Sequence, residues 1–196
     1  METSPKEIET HPWPPFIPDG AKVLIMGTFP PGNHRWSMDF FYPNRTNDFW
    51  YMMGLIFMGD RTALVDAASR SFRLDDIKRL LTARGIALGD TGYRIHRQKG
   101  NASDKYLEII EPIDLRSTLA LMPGCRTIAT TGEKAAGVIA ALTGSDIPRM
   151  GQSVEARCGD RDLTVWRMPS TSRAYPLPLA EKAAHYERLF RAAGVL

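Results

Sequence analysis

Cysteine is almost missing from this chain. Cys125 and Cys158 are far apart, and neither has a second thiol near it. That pattern excludes a disulfide framework and argues against a structural zinc site or an iron–sulfur cluster. Long apolar runs are missing as well, none approaching the length needed to cross a bilayer. The opening METSPKEIETHP carries acids where a secretory signal would carry basic residues. The expected location is therefore the cytoplasm, with no membrane partner. No internal repeat and no low-complexity tract is present. Strong charge of one sign is also lacking: a net +3 is common among proteins that never meet nucleic acid. No G-x-S-x-G elbow precedes a helix, which sets aside a serine hydrolase built on Ser170 and His185. The glycine spacings of a P-loop or a dinucleotide-binding turn do not occur.

What is present fits an ordinary globule: 196 residues, 43% hydrophobic and 24% charged, enough to bury a real core. Residues 1–20 are Pro-rich and aperiodic and read as an extended arm, leaving 21–196 as a single domain. AKVLIMG (21–27) is wholly apolar and ends in Gly, which predicts a buried parallel strand. Thr46 or Asn47 can cap a helix running to about Met58. Further helices are expected at 60–69 and at 74–84, the latter stopped by Gly85. IALGD (86–90) reads as the second strand, 91–103 as a loop, 104–110 and 114–121 as short helices. RTIATTG (126–132) reads as the third strand and 133–142 as its crossover helix. Residues 153–158 and 162–168 alternate like a hairpin, whose second arm completes the parallel core, and 179–193 form an amphipathic helix.

Strands alternating with helices imply a parallel sheet covered on both faces. Ligands in such folds sit at the carboxyl ends of the strands, near the switch point. The loops 27–46, 90–103, 130–133 and 168–176 all leave carboxyl ends of predicted strands. The richest stretch is VLIMGTFPPGNHRWSMDFFYPNRTNDFW (23–50), a strand, a Gly-Pro turn and a loop dense in aromatics and amides. Backbone that lets a ligand come close, beside stacking rings and amides, is what a flat polar ring requires. With MPSTSRAYP (168–176) it reads as two jaws of a nucleobase pocket. Arg35, Arg45, Arg94, Arg97, Lys99 and Arg173 fall in predicted loops, either as solvated charge or as a phosphate-tracking rim.

LIMGTFPPG (24–32), FFYPNRTNDFW (40–50), GIALGDT (85–91), NASDKYLE (101–108), TIATTGEKA (127–135) and MPSTSRAYP (168–176) occur in that order. On these pieces the chain resembles the uracil-DNA glycosylase superfamily, and within it most closely the deoxyinosine (hypoxanthine) DNA glycosylase-like branch. The resemblance implies a three-layer α/β/α sandwich around a central four-stranded parallel sheet. It implies a monofunctional, metal-independent hydrolase with no cofactor. Such an enzyme removes uracil or hypoxanthine from DNA and leaves an abasic site; apart from the resemblance, a monomer is expected. The first motif would lie under the flipped nucleotide, while the last would grip the DNA backbone and fill the gap in the stack. Thr28 stands where superfamily members often carry a catalytic Asp or Asn, and Met168 where many carry His. The branch is thought to rely instead on the Asn of its N-x-F-W element, here Asn47. Arg173 and Tyr175 replace a Pro and an Asn of the branch's last loop. A non-catalytic nucleic-acid or nucleotide binder of the same fold is the alternative, favoured by Thr28 and Met168.

Read as chemistry, Asn47 orients the attacking water or holds a base carbonyl, or is simply a helix N-cap. Asp48 and Asp39 are reserve general bases, although an Asp in a first helical turn also serves the helix dipole. The base pocket draws on Gly27, Thr28, Phe29, Pro30, Phe41, Tyr42 and Asp90. Phe29, Phe41 and Tyr42 are stacking faces or core. Asp90 accepts the imide N–H of uracil or N1–H of hypoxanthine, or is a turn residue. Ser170, Thr171 and Ser172 donate to phosphates or form a generic turn. Arg173 and Arg45 are DNA contacts, with Tyr175 as a wedge. His96, with Arg94, Arg97 and Lys99, reads as a DNA-facing loop or as plain exposed loop. His185 reads as surface and the four Trp as core, save Trp36 in the active loop.

Overall fold

The computed structural model describes residues 7–98 and 103–196. A short strand β1 (Ile8–Thr10) leads along the arm to β2 (Val23–Gly27), buried at every position as its unbroken apolar run requires. A long loop then reaches helix α1 (Phe49–Met58), stopped by Gly59 at φ 70. A small hairpin, β3 (Val65–Asp66) and β4 (Ser71–Phe72), precedes α2 (Leu74–Arg84) and β5 (Ile86–Asp90). Next come β6 (Gly92–Arg97), β7 (Leu107–Pro112) and α3 (Leu115–Ala120). The chain closes with β8 (Thr127–Thr131), α4 (Glu133–Thr143), β9 (Gln152–Cys158), β10 (Arg161–Met168) and α5 (Leu179–Ala192).

The main sheet has five strands in the order β5-β2-β8-β10-β9. The first four are parallel, as expected, and β9 adds a fifth, antiparallel to β10, so the sheet is one strand wider than a four-stranded one. Alternate residues of β2 point to opposite faces. Val23 and Ile25 pack with α1, α2 and α5, while Leu24 and Met26 pack with α3 and α4. Helices therefore cover both faces, giving three layers.

Three local expectations fail for physical reasons. Residues 60–69 form turns on either side of the short strand β3, not a helix. Asp60 Oδ1 accepts from Thr62 N–H (2.8 Å) and Asp66 Oδ1 from Ala68 N–H (3.1 Å), side-chain bonds that compete with helical ones. Residues 107–112 are strand, with only one turn of 3-10 helix at Asp104–Tyr106 before them. The β-branched pair Ile109–Ile110 and the closing Pro112 suit an edge strand better than a helix. The expected loop at 91–103 begins as strand β6, and β1-β6-β7 make a second, antiparallel sheet. The arm is thus stitched down: β1 pairs with β6, and Phe16 exchanges backbone hydrogen bonds with Leu88 at 2.8 and 2.9 Å.

One charged cluster fixes how α1 meets α5. Lys182 is fully buried on the apolar face of α5, between Leu179 and Tyr186 in the helix turn pattern. Its Nζ donates to Asp48 Oδ2 (3.0 Å) and to the Ser172 carbonyl (2.8 Å). Arg173 Nε donates to Asp48 Oδ1 at 3.0 Å. A buried charge left without its partner typically costs about 3–5 kcal/mol. Replacing Lys182 with Ala is therefore expected to destabilise the protein by about 3 kcal/mol or more, read as a lower denaturant midpoint with an unchanged slope.

Candidate functional site

The chain passes from β2 to β5 on one side and later to β8 on the other, so the strand order reverses between β2 and β8. Crevices open at such a switch point, outside the carboxyl ends of the strands. A cleft of about 660 Å³ lies there, within the range of small-molecule sites. The four loops expected to converge all contribute. Gly27 to Pro31, Arg35, and Tyr42 to Asn47 in part come from the loop after β2. Asp90 closes β5, Ser103 and Asp104 lie beyond β6, Thr131 closes β8, and Ser170 to Pro176 come from the loop after β10.

The floor is packed closely. A Cβ added to Gly27 would meet Asp90 Oδ1 at 2.6 Å, Tyr42 Oη at 3.3 Å and Thr131 Oγ1 at 3.5 Å. Only glycine leaves that carboxylate in place. Tyr42 takes φ 52, a conformation costly for a bulky residue. In that pose its ring stacks on Phe49 (centroids 3.8 Å, 13° between planes) and its hydroxyl meets Thr131 Oγ1 at 3.2 Å. Burial, reinforced by the charge of Asp90, holds the Tyr42 phenol far above its ordinary pKa. It stays neutral and can donate a hydrogen bond.

Asp90 is held from behind. His11, on the N-terminal arm, places Nε2 2.8 Å from Asp90 Oδ2, while its Nδ1 accepts from Trp13 N–H at 3.2 Å or donates to the Trp13 carbonyl at 2.7 Å. In either arrangement Nε2–H is the donor to Asp90, because a carboxylate only accepts. With Oδ2 engaged, Oδ1 is the oxygen presented beside Gly27.

Asn47 and the loop after β10 do share the cleft. Asp48 N–H donates to the Thr171 carbonyl at 2.8 Å, and Asn47 bridges Ser172 as a pair of antiparallel strands would. Asn47 Oδ1 accepts from Phe49 N–H (2.9 Å), a side-chain turn leading into α1, whose N-cap position is Asp48 rather than the expected Thr46 or Asn47. That bond fixes which end of the amide is oxygen and leaves Nδ2 as a donor for a ligand. Ser170 Oγ and Ser172 Oγ accept from the N–H groups of Ser172 (3.2 Å) and Ala174 (3.3 Å), shaping the loop from within. Tyr186 donates to the Pro169 carbonyl at 3.0 Å and anchors the loop's start.

Other named residues lie elsewhere. Phe41 is buried outside the cleft, 5.8 Å from the His11 ring and 5.7 Å from Trp13. Asp48 is 6% exposed and does not line the cleft; both its oxygens are taken by Lys182 and Arg173, which leaves none for a base. Asp39 is exposed and also outside it. Arg173 lines the cleft but turns its Nε to Asp48 and its Nη2 to the Arg45 carbonyl (3.3 Å), over the Tyr51 ring. Arg45 itself has a buried Nε and does not line the cleft.

The rim reading narrows in the same way. Arg94 and Arg97 lie on β6, not in a loop. Arg97 is a buried strut, donating to Glu9 at 2.8 and 3.0 Å and to the Pro30 carbonyl at 3.0 Å. Arg94 pairs with Glu111 at 3.6 Å. His96 is 9% exposed, with Nδ1 3.4 Å from Glu108, so it is no exposed loop residue. Lys99 lies outside the described residues. Phe29, Pro30 and Tyr175 do line the cleft, and Met168 is buried in the core beneath it.

Three residues of the site carried no readable local signal or an overlooked one. His11 sits in an aperiodic arm, and its partner is 79 positions away. Asp104 follows Ser103 and looks like a helix start. Lys182 was legible: it occupies the apolar stripe of α5 with Ala183, Tyr186, Leu189 and Phe190. Among the described residues, no group of three or more His, Cys, Asp or Glu side chains could hold a metal ion. No helix among them is long and apolar enough to cross a membrane.

No family model and no curated protein matches the sequence. The fold is similar to that of a candidate uracil DNA glycosylase from Methanosarcina acetivorans, solved in solution. The TM-score is 0.64 at 20% identity, over 96% of this chain and 99% of that one. The likeness shows that the two chains share a mixed α/β fold.

Removing the His11 side chain leaves Asp90 Oδ2 buried without a donor, a loss of about 1–3 kcal/mol. His11→Ala is expected to lower stability by that amount in a denaturant titration, and His11→Gln, which restores a donor, to recover part of it.

Proposed function

We propose that the protein is a DNA glycosylase that hydrolyses the bond between deoxyribose and a deaminated base, uracil or hypoxanthine, turned out of the DNA stack. The observation that carries this reading is the floor of the cleft. Backbone at Gly27, a carboxylate oxygen at Asp90 and a neutral phenol at Tyr42 converge at the switch point, with the Asn47 amide on the wall. The fold shared with a candidate uracil DNA glycosylase supports it.

Turning a base out costs a few kcal/mol, least for a mispaired lesion. The cleft returns that through contacts suited to a flat imide. Asp90 Oδ1 accepts the ring N–H that uracil and hypoxanthine share. It repels cytosine and adenine, which present an unprotonated nitrogen at the same edge. Asn47 Nδ2 and the Tyr42 hydroxyl donate to the base carbonyl and stabilise the negative charge that the base carries as it departs. Phe29 supplies an apolar ring at the mouth. The Ser170–Ser172 segment and Tyr175 lie on the opposite jaw, where the DNA backbone and the vacated stack would be met.

Labelled oligonucleotides containing uracil, hypoxanthine or xanthine, treated with alkali after incubation, give the test. Strand breaks at the lesion are expected, and Asn47→Ala should slow them by roughly 10²–10³-fold, the usual effect of losing one donor to a developing anion. Binding to these oligonucleotides with no break at any lesion would reduce the protein to a non-catalytic binder.

A further inference from the structure

Water must lose a proton as it attacks the sugar, and an amide such as Asn47 cannot take one. Two carboxylates line the cleft among the described residues, Asp90 and Asp104. Asp90 gives Oδ2 to His11 and keeps Oδ1 over Gly27 at the floor, where a base edge would sit. Asp104 is placed differently. Thr28 Oγ1, on the residue that follows Gly27, donates to Asp104 Oδ2 at 2.9 Å. Lys134 on α4 donates to the Asp104 and Leu107 carbonyls and pins the turn that carries the carboxylate. Oδ2 is thus oriented from the end of β2, and among the described residues no hydrogen bond engages Oδ1, which faces a ligand.

We propose, resting on the glycosylase reading, that Asp104 is the general base of the reaction, supplied across the cleft to the side of Thr28. In the step, the water oxygen bonds to C1′ of the sugar as the bond from C1′ to the base nitrogen breaks. The electron pair of that bond leaves with the base, which is then protonated. One water proton stays on the new C1′ hydroxyl and the other passes to Asp104 Oδ1, which gives it up to solvent as the departing base takes one from solvent; the products are the free base and an abasic site.

The surroundings of Asp104 suit this work. Burial raises its pKa above the ordinary carboxylate value; the Thr28 bond and the Lys134 charge oppose the rise, and the Asp90 charge adds to it. Tyr42, neutral, faces the same space. A carboxylate made more basic takes a proton from water more readily. Because the folded pKa is raised, the ionised form costs stability. That cost is absent below the unfolded pKa and is reached as pH rises through the folded value.

Asp104→Asn, measured by single-turnover base release with protein in excess over a lesion-containing oligonucleotide, tests the assignment. The expected result is a rate lower by roughly 10²–10⁴-fold, with affinity for the uncleaved oligonucleotide retained. The wild-type rate should fall at acid pH, and that limb should vanish in the variant's residual rate. Asp104→Asn should also melt no lower than the wild type at neutral pH. Any advantage there should disappear on acidification. A variant that keeps its rate within threefold, or an acid limb unchanged by the substitution, overturns the role of Asp104 and leaves the glycosylase reading standing. A clear loss of melting temperature at neutral pH makes Asp104 a structural group and overturns it too. Wild-type protein that releases no base from any lesion overturns both.

Discussion

Asp48 is a carboxylate at the entrance of α1 with almost no access to water, and burying it requires compensation. Lys182 from α5 and Arg173 from the loop after β10 supply it, one on each oxygen. The cluster therefore ties together three segments that are remote in sequence. It also brings Asp48 N–H onto the Thr171 carbonyl and Lys182 onto the Ser172 carbonyl. Both jaws of the cleft are set by these bonds: Asn47 sits beside Asp48 in one, and Ser170 to Ser172 form the other. The anion also lies at the amino end of a helix, where the helix dipole favours it.

The cleft depends on costs accepted elsewhere. Tyr42 is held at positive φ, Asp90 is buried and Asp104 half-buried, and Gly27 forgoes a side chain. Most of these costs are met by partners from the surrounding layers, with Thr28 of the cleft itself as the exception. His11 answers Asp90, Lys134 and Thr28 answer Asp104, and Phe49 supports the Tyr42 ring. Polar groups concentrated where the sheet order reverses, with their supports in the surrounding layers, are the pattern of a binding site rather than of a packing defect.

The N-terminal arm takes a larger part than its composition implies. Its strand pairing with β6, the Arg97–Glu9 bonds and the Phe16–Leu88 exchange hold it against the β5 edge. Arg97 also donates to the Pro30 carbonyl, so the arm and the turn after Gly27 share one strut. His11 reaches Asp90 only because that pairing fixes the arm's register.

The parallel strands were legible because a strand buried on both faces must be apolar throughout, as VLIMG and IALGD are. Gly85 and the alternating 152–168 hairpin were readable for similarly local reasons, and the convergence of loops at carboxyl ends followed from strand order. What failed was local competition and exposure. Asp60 and Asp66 took backbone N–H groups from an expected helix. The half-exposed strands β6 and β7 showed no clean period, and their sheet exists only by pairing with each other and with the arm. The amino-acid sequence by itself determined the layers and the edge at which the cleft opens, since both follow from periodicity and burial along short stretches. Only the tertiary structure decided which charged groups face the cleft and which serve the frame: Asp104 in, Asp48 out, His11 behind Asp90. Those assignments rest on contacts between residues 76 to 134 positions apart, and spacing along a chain holds no record of such distances.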